Sequence, residues 1–286
     1  MKKQKIIITG MNGLLGSILE KTLKEDHDVA GIFVDIRDSV VVKDFGARQG
    51  QADWIIHTAA ITDVDLCERD HRQCYDVNFE GTKNIRDLAK LVGAKLIYIS
   101  TASVFSGIEG NYKETDVPYP NNFYNLSKLL GESCVSEYDK GLIIRLNLIG
   151  IHLQGSRGKN FFEWLVDSVI KNNDIRLFSD VMINPLSNFT IAELINKVIR
   201  IEPKEKILHI SSKNILSKAD IGKIVIDRLG YNGKAVYSSI EDGNSQIKRP
   251  KQMWLNSDYA QTKIGLEMPT LEAEVEKILR INKLVK

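Results

Sequence analysis

Tyr124 and Lys128 stand four residues apart in Phe123-Tyr124-Asn125-Leu126-Ser127-Lys128, the spacing that puts two side chains on one face of a helix. A free phenol titrates near pH ~10, and an adjacent ammonium favours the phenolate, drawing that value toward the range where a phenol works as acid or base. Thr101 ends the apolar run Leu96-Ile97-Tyr98-Ile99 and offers a hydroxyl to a substrate oxygen, with Ser103 a second candidate for the same task. Together these groups suit proton delivery to a carbonyl that is being reduced. Each also has a plain structural reading: a packed Tyr beside a solvated Lys, and a Thr that caps a turn through its own backbone.

A second set of residues lies upstream. Lys5-Ile6-Ile7-Ile8-Thr9 leads into Gly10-Met11-Asn12-Gly13-Leu14-Leu15-Gly16, after which Leu15, Ile18, Leu19, Thr22 and Leu23 recur at helical spacing. A glycine turn between strand and helix puts free N–H groups and positive potential where a pyrophosphate can sit. Gly10 permits the tight turn, Gly13 admits phosphate to the backbone, and Gly16 lets helix pack on strand. Asp35 stands where an acid selects NAD through the ribose 2′-OH, whereas Arg37 suits a 2′-phosphate or solvent. NAD and NADP therefore both remain open as the cofactor.

Positioning these groups falls to an alternation of strands and helices. Strand-like runs over 28–33, 53–58, 95–103 and 142–146 are interleaved with helical ones, including a long helix over 77–92, and such alternation builds a parallel sheet. The predicted fold class is α/β, a doubly wound parallel sheet of the NAD(P)-binding Rossmann type. Ligands of such sheets sit beyond the carboxyl ends of the strands, so Thr101 and the helix of Tyr124 should face one cleft.

Thr9-Gly10-x-x-Gly13-x-x-Gly16, the Thr101 strand end and Tyr124-x-x-x-Lys128 together resemble the extended short-chain dehydrogenase/reductase superfamily. Within it the chain is similar to the dTDP-4-dehydrorhamnose reductase family. The residues that carry this are His57-Thr58-Ala59-Ala60-Ile61-Thr62-Asp63-Val64-Asp65, Glu68, Val77-Asn78, Ile99-Ser100-Thr101 with Val104-Phe105, and Ser127-Lys128-Leu129-x-Gly131-Glu132. Leu208-His209-Ile210-Ser211 and Arg249-Pro250 with Leu255 extend the likeness late into the chain. The resemblance implies reduction of the 4-keto group of a nucleotide-activated deoxysugar by NADPH or NADH, feeding a surface polysaccharide or glycoconjugate. Thr101, Tyr124 and Lys128 would be catalytic, with Tyr124 the proton donor and Lys128 also holding the cofactor ribose. Gly10, Met11, Asn12, Gly13, Leu14, Leu15, Gly16, Asp35, Ile36, Ala59, Ala60 and Asn78 would serve the cofactor, Asn78 by ordering the site from behind. Thr62, Val64, Ser103 and Arg249 would face the nucleotide sugar.

The same resemblance implies two lobes: 1–150 with 175–210 for the cofactor, and 151–174 with 211–286 as a smaller, discontinuous α/β lobe for substrate. Runs at 175–178 and 206–210 would return to the main sheet, and helices at 161–171, 218–229 and 271–283 would lie in or beside the lobe. The polar loop 154–160, with Arg157 and Lys159, and the loop 242–251, with Arg249, are candidates to meet a diphosphate. A homodimer is common in similar proteins, though nothing here specifies its surface.

Two departures from the family pattern matter. Where the family has Ser-Thr-Asp-Tyr-Val-Phe, this chain has Ser100-Thr101-Ala102-Ser103-Val104-Phe105. The missing acid disfavours a sugar-nucleotide 4,6-dehydratase and leaves room for an unusual sugar. It also motivates a non-catalytic reading, a nucleotide-binding regulatory subunit like the beta subunit of methionine adenosyltransferase, while a 4-epimerase with retained NAD is a third. Second, Val34-Asp35-Ile36-Arg37-Asp38 also resembles the family's later Asp-Ile-Thr-Asp segment near the adenine, which implies a shortened second-strand loop.

Composition agrees. A chain of 286 residues with 43% apolar content can bury such a sheet and a smaller lobe. A net charge of +2, with one small cluster at Lys2-Lys3-Gln4-Lys5, gives no footprint for nucleic acid. No apolar run reaches signal-peptide or membrane-span length, so a cytoplasmic protein without a membrane partner is expected. Cys67, Cys74 and Cys134 lack metal or redox spacing and are expected as reduced thiols. The histidines are dispersed, His57 and His209 reading as core or cleft-edge residues, and no metal site is expected.

Overall fold

The computed structural model describes residues 3–153, 160–242 and 250–285. The first half runs β1 (Lys5–Thr9), α1 (Gly16–Leu23), β2 (Asp28–Ile32), α2 (Ser39–Gln49), β3 (Trp54–His57), α3 (Val64–Arg69), α4 (His71–Tyr75), a π-helical turn (Asp76–Glu80), α5 (Gly81–Val92), β4 (Lys95–Thr101), α6 (Phe123–Ser136) and β5 (Gly141–Leu146). The second half continues with β6 (Leu148–Ile149), α7 (Phe161–Ile170), β7 (Ile175–Phe178), β8 (Met182–Ile183), β9 (Leu186–Ser187), α8 (Asn188–Ile201), β10 (Ile207–His209), β11 (Leu216–Ser217), α9 (Lys218–Leu229), β12 (Ala235–Ser238), β13 (Gln252–Met253), α10 (Asp258–Thr262) and α11 (Leu271–Ile281).

Successive strand side chains point to opposite faces, and here both faces are apolar. Ile6, Ile8, Trp54, Ile56, Ile97 and Ile144 enter one core with α1 and α8, while Ile7, Ile55, Leu96, Tyr98 and Ile143 enter another with α2, α5 and α6. Strands buried on both faces belong in a parallel sheet covered by helices on each side. The sheet has six strands in the order β10-β5-β4-β3-β1-β2, all parallel, the doubly wound Rossmann-type arrangement expected. Its order reverses between β1 and β3, which opens the crevice where ligands bind. Register shapes the floor: Thr9 pairs with His57 and His57 with Tyr98, so β4 runs three residues past its neighbour and lifts Thr101 above it.

A third core gathers Phe162 and Leu165 of α7, Ile175 and Leu177 of β7, Ile221 and Val225 of α9, and Val275 and Ile278 of α11. Here two expectations need correction. The run 206–210 does return to the main sheet, as β10, but β7 does not; it pairs in parallel with β12, Ile175 opposite Ala235. The reason is visible in β7 itself, where Ile175 and Leu177 are buried and Arg176 between them is exposed, a one-faced strand unsuited to a sheet covered on both sides. The cysteines are also not all reduced: Cys67 and Cys74 form a disulfide, with Cys134 free and buried. Asp70 ends α3 and caps α4 by accepting from Gln73 N, and the chain reversal at that break joins two cysteines whose linear spacing signals nothing.

The expected helix over 77–92 is regular only from Gly81, being preceded by the π-helical turn, a feature frequent at functional sites. No helix among the described residues is long and apolar enough to cross a membrane.

Candidate active site

The floor of the crevice is a chain of hydrogen bonds with one consistent polarity. Thr82 Oγ1 donates to Asn78 O at 2.7 Å, so it must accept from His57 Nε2 at 3.0 Å. His57 Nδ1 is then left to accept from Thr9 Oγ1 at 2.7 Å, while Thr9 Oγ1 accepts from the backbone N of Thr58 and Ala59, both at 3.1 Å. Burial, with the Lys128 charge acting in the same direction, holds the His57 pKa down at about 3, so the ring is a neutral strut. His209 is similar, its Nδ1 donating to Tyr112 O at 3.0 Å, with its pKa lowered to about 3 chiefly by burial. Both histidines take the core role read from the sequence.

Asn78 sits at the hub of this scaffold, fully buried on the π-helical turn. Its Oδ1 accepts from Ile61 N at 2.8 Å, and its Nδ2 donates to Ile61 O and to Ser127 Oγ, both at 2.9 Å. The side chain thus pins residues 59–61, where Ala59 and Ala60 border the crevice, to the middle of α6. Ser127 in turn donates to Tyr124 O at 2.7 Å.

The start of α6 is secured three ways. Asn122 caps it by accepting from Asn125 N at 2.9 Å, Glu68 Oε1 accepts from Phe123 N at 2.6 Å, and His71 stacks on Phe123 with ring centroids 4.0 Å apart. Tyr124 follows, half-buried, with the Thr101 side chain near enough to its hydroxyl to favour the phenolate. Thr101 also caps the turn after β4 by accepting from Ser103 N at 3.1 Å, the structural one of the two roles weighed for it. Burial pushes the Tyr124 phenol up to about 12, opposed only in part by Thr101. That reverses the expected direction. The reason lies in Lys128, whose Nζ donates to Ile99 O at 2.8 Å and lies 4.1 Å above the Tyr98 ring. Burial draws its pKa down to about 7, with the Glu132 carboxylate pulling the other way.

Glu132 and Arg145 are a pair that inspection of the sequence did not single out. Arg145 Nη2 donates to Glu132 at 2.7 Å with both side chains almost wholly buried, Ser100 also donates to Glu132, and Arg145 lies 5.0 Å above the Phe105 ring. A signal existed: an arginine inside Leu142-Ile143-Ile144-Arg145-Leu146 needs a buried counter-charge.

The remaining candidates divide by place. Thr62 is exposed and Val64 half-buried at the start of α3, on the rim. Ser103 Oγ donates to Met253 Sδ at 3.4 Å, which brings the third core's side of the molecule to the crevice, and Ala102 is buried with Val104, Phe105, Tyr112 and Leu255. Met11 and Leu15 are core residues, so only their backbone can serve a ligand. Asp35 and Arg37 bind each other, Arg37 Nη2 donating at 2.6 Å and Nε at 2.9 Å; the guanidinium holds the Asp35 carboxyl below its usual range. Ile36 is buried beside them. Arg157, Lys159 and Arg249 lie outside the described residues.

A dinucleotide fits this crevice. Gly10 has φ +69°, and a Cβ on Gly16 would lie 2.1 Å from Gly10 O, so the turn closes only with glycine at these points. The N-terminus of α1 carries no side-chain cap and no acid in its first turn, which leaves its positive end free for phosphate. No cluster of three or more His, Cys, Asp or Glu among the described residues could hold a metal.

Comparison with known proteins agrees with the geometry. The family described as "RmlD substrate binding domain" matches residues 4–283. A probable low-salt glycan biosynthesis reductase of Haloferax volcanii is 28% identical, covering 94% of this chain and 95% of its own. The crystal structure of a dTDP-4-dehydrorhamnose reductase from Bacillus anthracis, in complex with NADP, superposes with a TM-score of 0.90 at 29% identity, covering 98% of this chain and 100% of that one. Methionine adenosyltransferase 2 subunit beta of Pongo abelii is 32% identical, over 49% of this chain and 45% of its own.

Proposed function

The chain belongs to the RmlD substrate binding domain family, and from that premise we propose that it reduces the 4-keto group of a nucleotide-activated deoxysugar, with NADP or NAD as cofactor. The observation that carries this is that Thr101, at the end of β4, and Tyr124, in the first turn of α6, meet at the mouth of the crevice, with Lys128 one helical turn further on. The reduced nicotinamide, when bound, supplies hydride to C4 of the sugar. In this reading the glycine turn and the N-terminus of α1 hold the pyrophosphate, and Asp35, Ile36 and Arg37 border the adenosine end. Thr101 orients the sugar oxygen and Tyr124 protonates it. A phenol with a pKa of about 12 is fully protonated at neutral pH, as a proton donor to a developing alkoxide must be. Lys128 is then the cation nearest in sequence to the phenolate left behind, and Asn78 and Ser127 are positioning residues.

Two competing readings fit less well, and a third has a direct check. Ala102 is buried among apolar side chains and Ser103 meets Met253, so no acid stands after Thr101 to eliminate water. The likeness to the adenosyltransferase subunit covers half of the chain, against nearly all of it for the reductases. A 4-epimerase would hold NAD through purification, which the absorbance of the purified protein checks.

The test is to follow NADPH and NADH oxidation with dTDP-4-dehydro-6-deoxy sugars in wild type and in Tyr124→Phe. Sugar-dependent oxidation that drops by a factor of about 100 or more in the variant, with cofactor binding retained, is the expected result; undiminished turnover in the variant sinks the assignment.

A further inference from the structure

Cys67 and Cys74 take no part in the chemistry above, yet their sulfurs meet directly behind the helix that carries Tyr124 and Lys128. Cys67 lies in α3 and Cys74 in α4, both fully buried, with Cα atoms 5.2 Å apart, inside the span a disulfide requires. Cys74 Sγ lies 3.3 Å from Ser127 Oγ and accepts from Asn78 Nδ2 at 3.4 Å. Ser127 is the residue whose hydroxyl bonds to Tyr124 O. Between the two cysteines lie Glu68 and His71, which hold Phe123 by its N–H and by its ring. The first turn of α6 therefore rests on the corner that these two cysteines close.

We propose that Cys67 and Cys74 form a reversible dithiol–disulfide couple that braces the first turn of α6 and so governs how firmly Tyr124 is held. Oxidation joins the two Sγ atoms, and two electrons and two protons pass to a low-molecular-weight disulfide, which is cleaved to two thiols; reduction runs the exchange backward through a mixed disulfide. Because both sulfurs are buried, exchange requires the α3–α4 corner to open, and two helices of six and five residues meeting at Asp70 are short enough to do so locally. The residues are only seven apart in sequence, and a bond closing so small a loop contributes less to global stability than one closing a long loop. Reduction thus leaves the fold standing and loosens the corner. It also gives Cys74 an S–H able to bond Ser127, which competes with the Asn78 contacts that now fix that side chain.

The full-length protein is equilibrated in mixtures of reduced and oxidised glutathione, alkylated without reduction and mapped by peptide mass. The expected result is a Cys67–Cys74 linked peptide that appears and disappears across the series while Cys134 stays alkylatable after denaturation. Hydrogen exchange at residues 123–126 should be about fivefold slower in the linked form, a difference that Cys67→Ser abolishes and Cys134→Ser keeps. Absence of the linked peptide at every glutathione ratio, or equal exchange in α6 with and without the link, overturns the proposal. Neither readout uses turnover, so the outcome is independent of whether the sugar reductase reading stands.

Discussion

Lys128 holds an ammonium against its surroundings. Taking the side chain from water lowers its pKa from 10.5 to about 7, the Glu132 carboxylate restoring part of the loss, and Ile99 O takes one of its hydrogens. If the charge on Lys128 stabilises the Tyr124 phenolate formed as the sugar is protonated, kcat/KM should fall as pH rises through about 7, and Lys128→Met should be slow and lack that step. A pH–rate profile of both proteins checks this, and an identical profile would count against the role. The same shift has a consequence for folding. Between about 7 and 10.5 the folded state binds fewer protons at Lys128 than the unfolded state, so stability should rise with pH across that window and stop rising above it. Urea titrations at several pH values should show this slope, reduced in Lys128→Met.

At the scale of elements, β5 and α6 are joined by the Arg145–Glu132 pair, and α1 is joined to β1 by the glycine turn. Removing one partner of a buried ion pair leaves the other charge uncompensated, so Arg145→Met should cost about 3–5 kcal/mol, with Arg145→Met/Glu132→Gln recovering much of it. Equilibrium unfolding measures both, and a loss under about 1 kcal/mol would mean that water reaches the pair. In the glycine turn, a Cβ at position 16 would press on Gly10 O at 2.1 Å, a backbone atom that cannot rotate away. Gly16→Ala should therefore lower stability by about 1–3 kcal/mol and weaken NADPH binding by at least about tenfold, because the N-terminus of α1 must shift from the phosphates. Fluorescence titration with NADPH tests the second claim.

For the whole molecule, the order of residues along the chain and the order in space diverge. The face of the sheet that carries Ile6, Ile8, Ile56 and Ile144 is covered by α8 and by Ala260, Leu266 and Met268 from near the end of the chain. A fragment of residues 1–150 lacks these covers. It should not unfold cooperatively in urea, because the exposed apolar face removes the burial that balances chain entropy. A sharp transition for the fragment would show that its own core suffices. The third core, around β7, β12, α7, α9 and α11, gathers elements far apart in sequence, and Met253 against Ser103 is where it reaches the crevice.

What the sequence determined by itself is what short-range periodicity encodes. Apolar runs of strand length, the glycine spacing before α1, the helical spacing of Tyr124 and Lys128, and the strand end at Thr101 all appear in the structure within a few residues of where pattern places them, because neighbouring side chains alone set which face each residue takes. What only the tertiary structure decided depends on partners distant along the chain. The run 175–178 could read as a main-sheet strand until β12 claimed its edge; Arg145 acquired meaning only opposite Glu132; Cys67 and Cys74 met because Asp70 reversed the chain between them. The direction of the Tyr124 shift belongs with these. Spacing predicts a cation on the phenol's face of the helix, but the Lys128 ammonium is held by Ile99 O and the Tyr98 ring, so burial sets the direction of the Tyr124 shift.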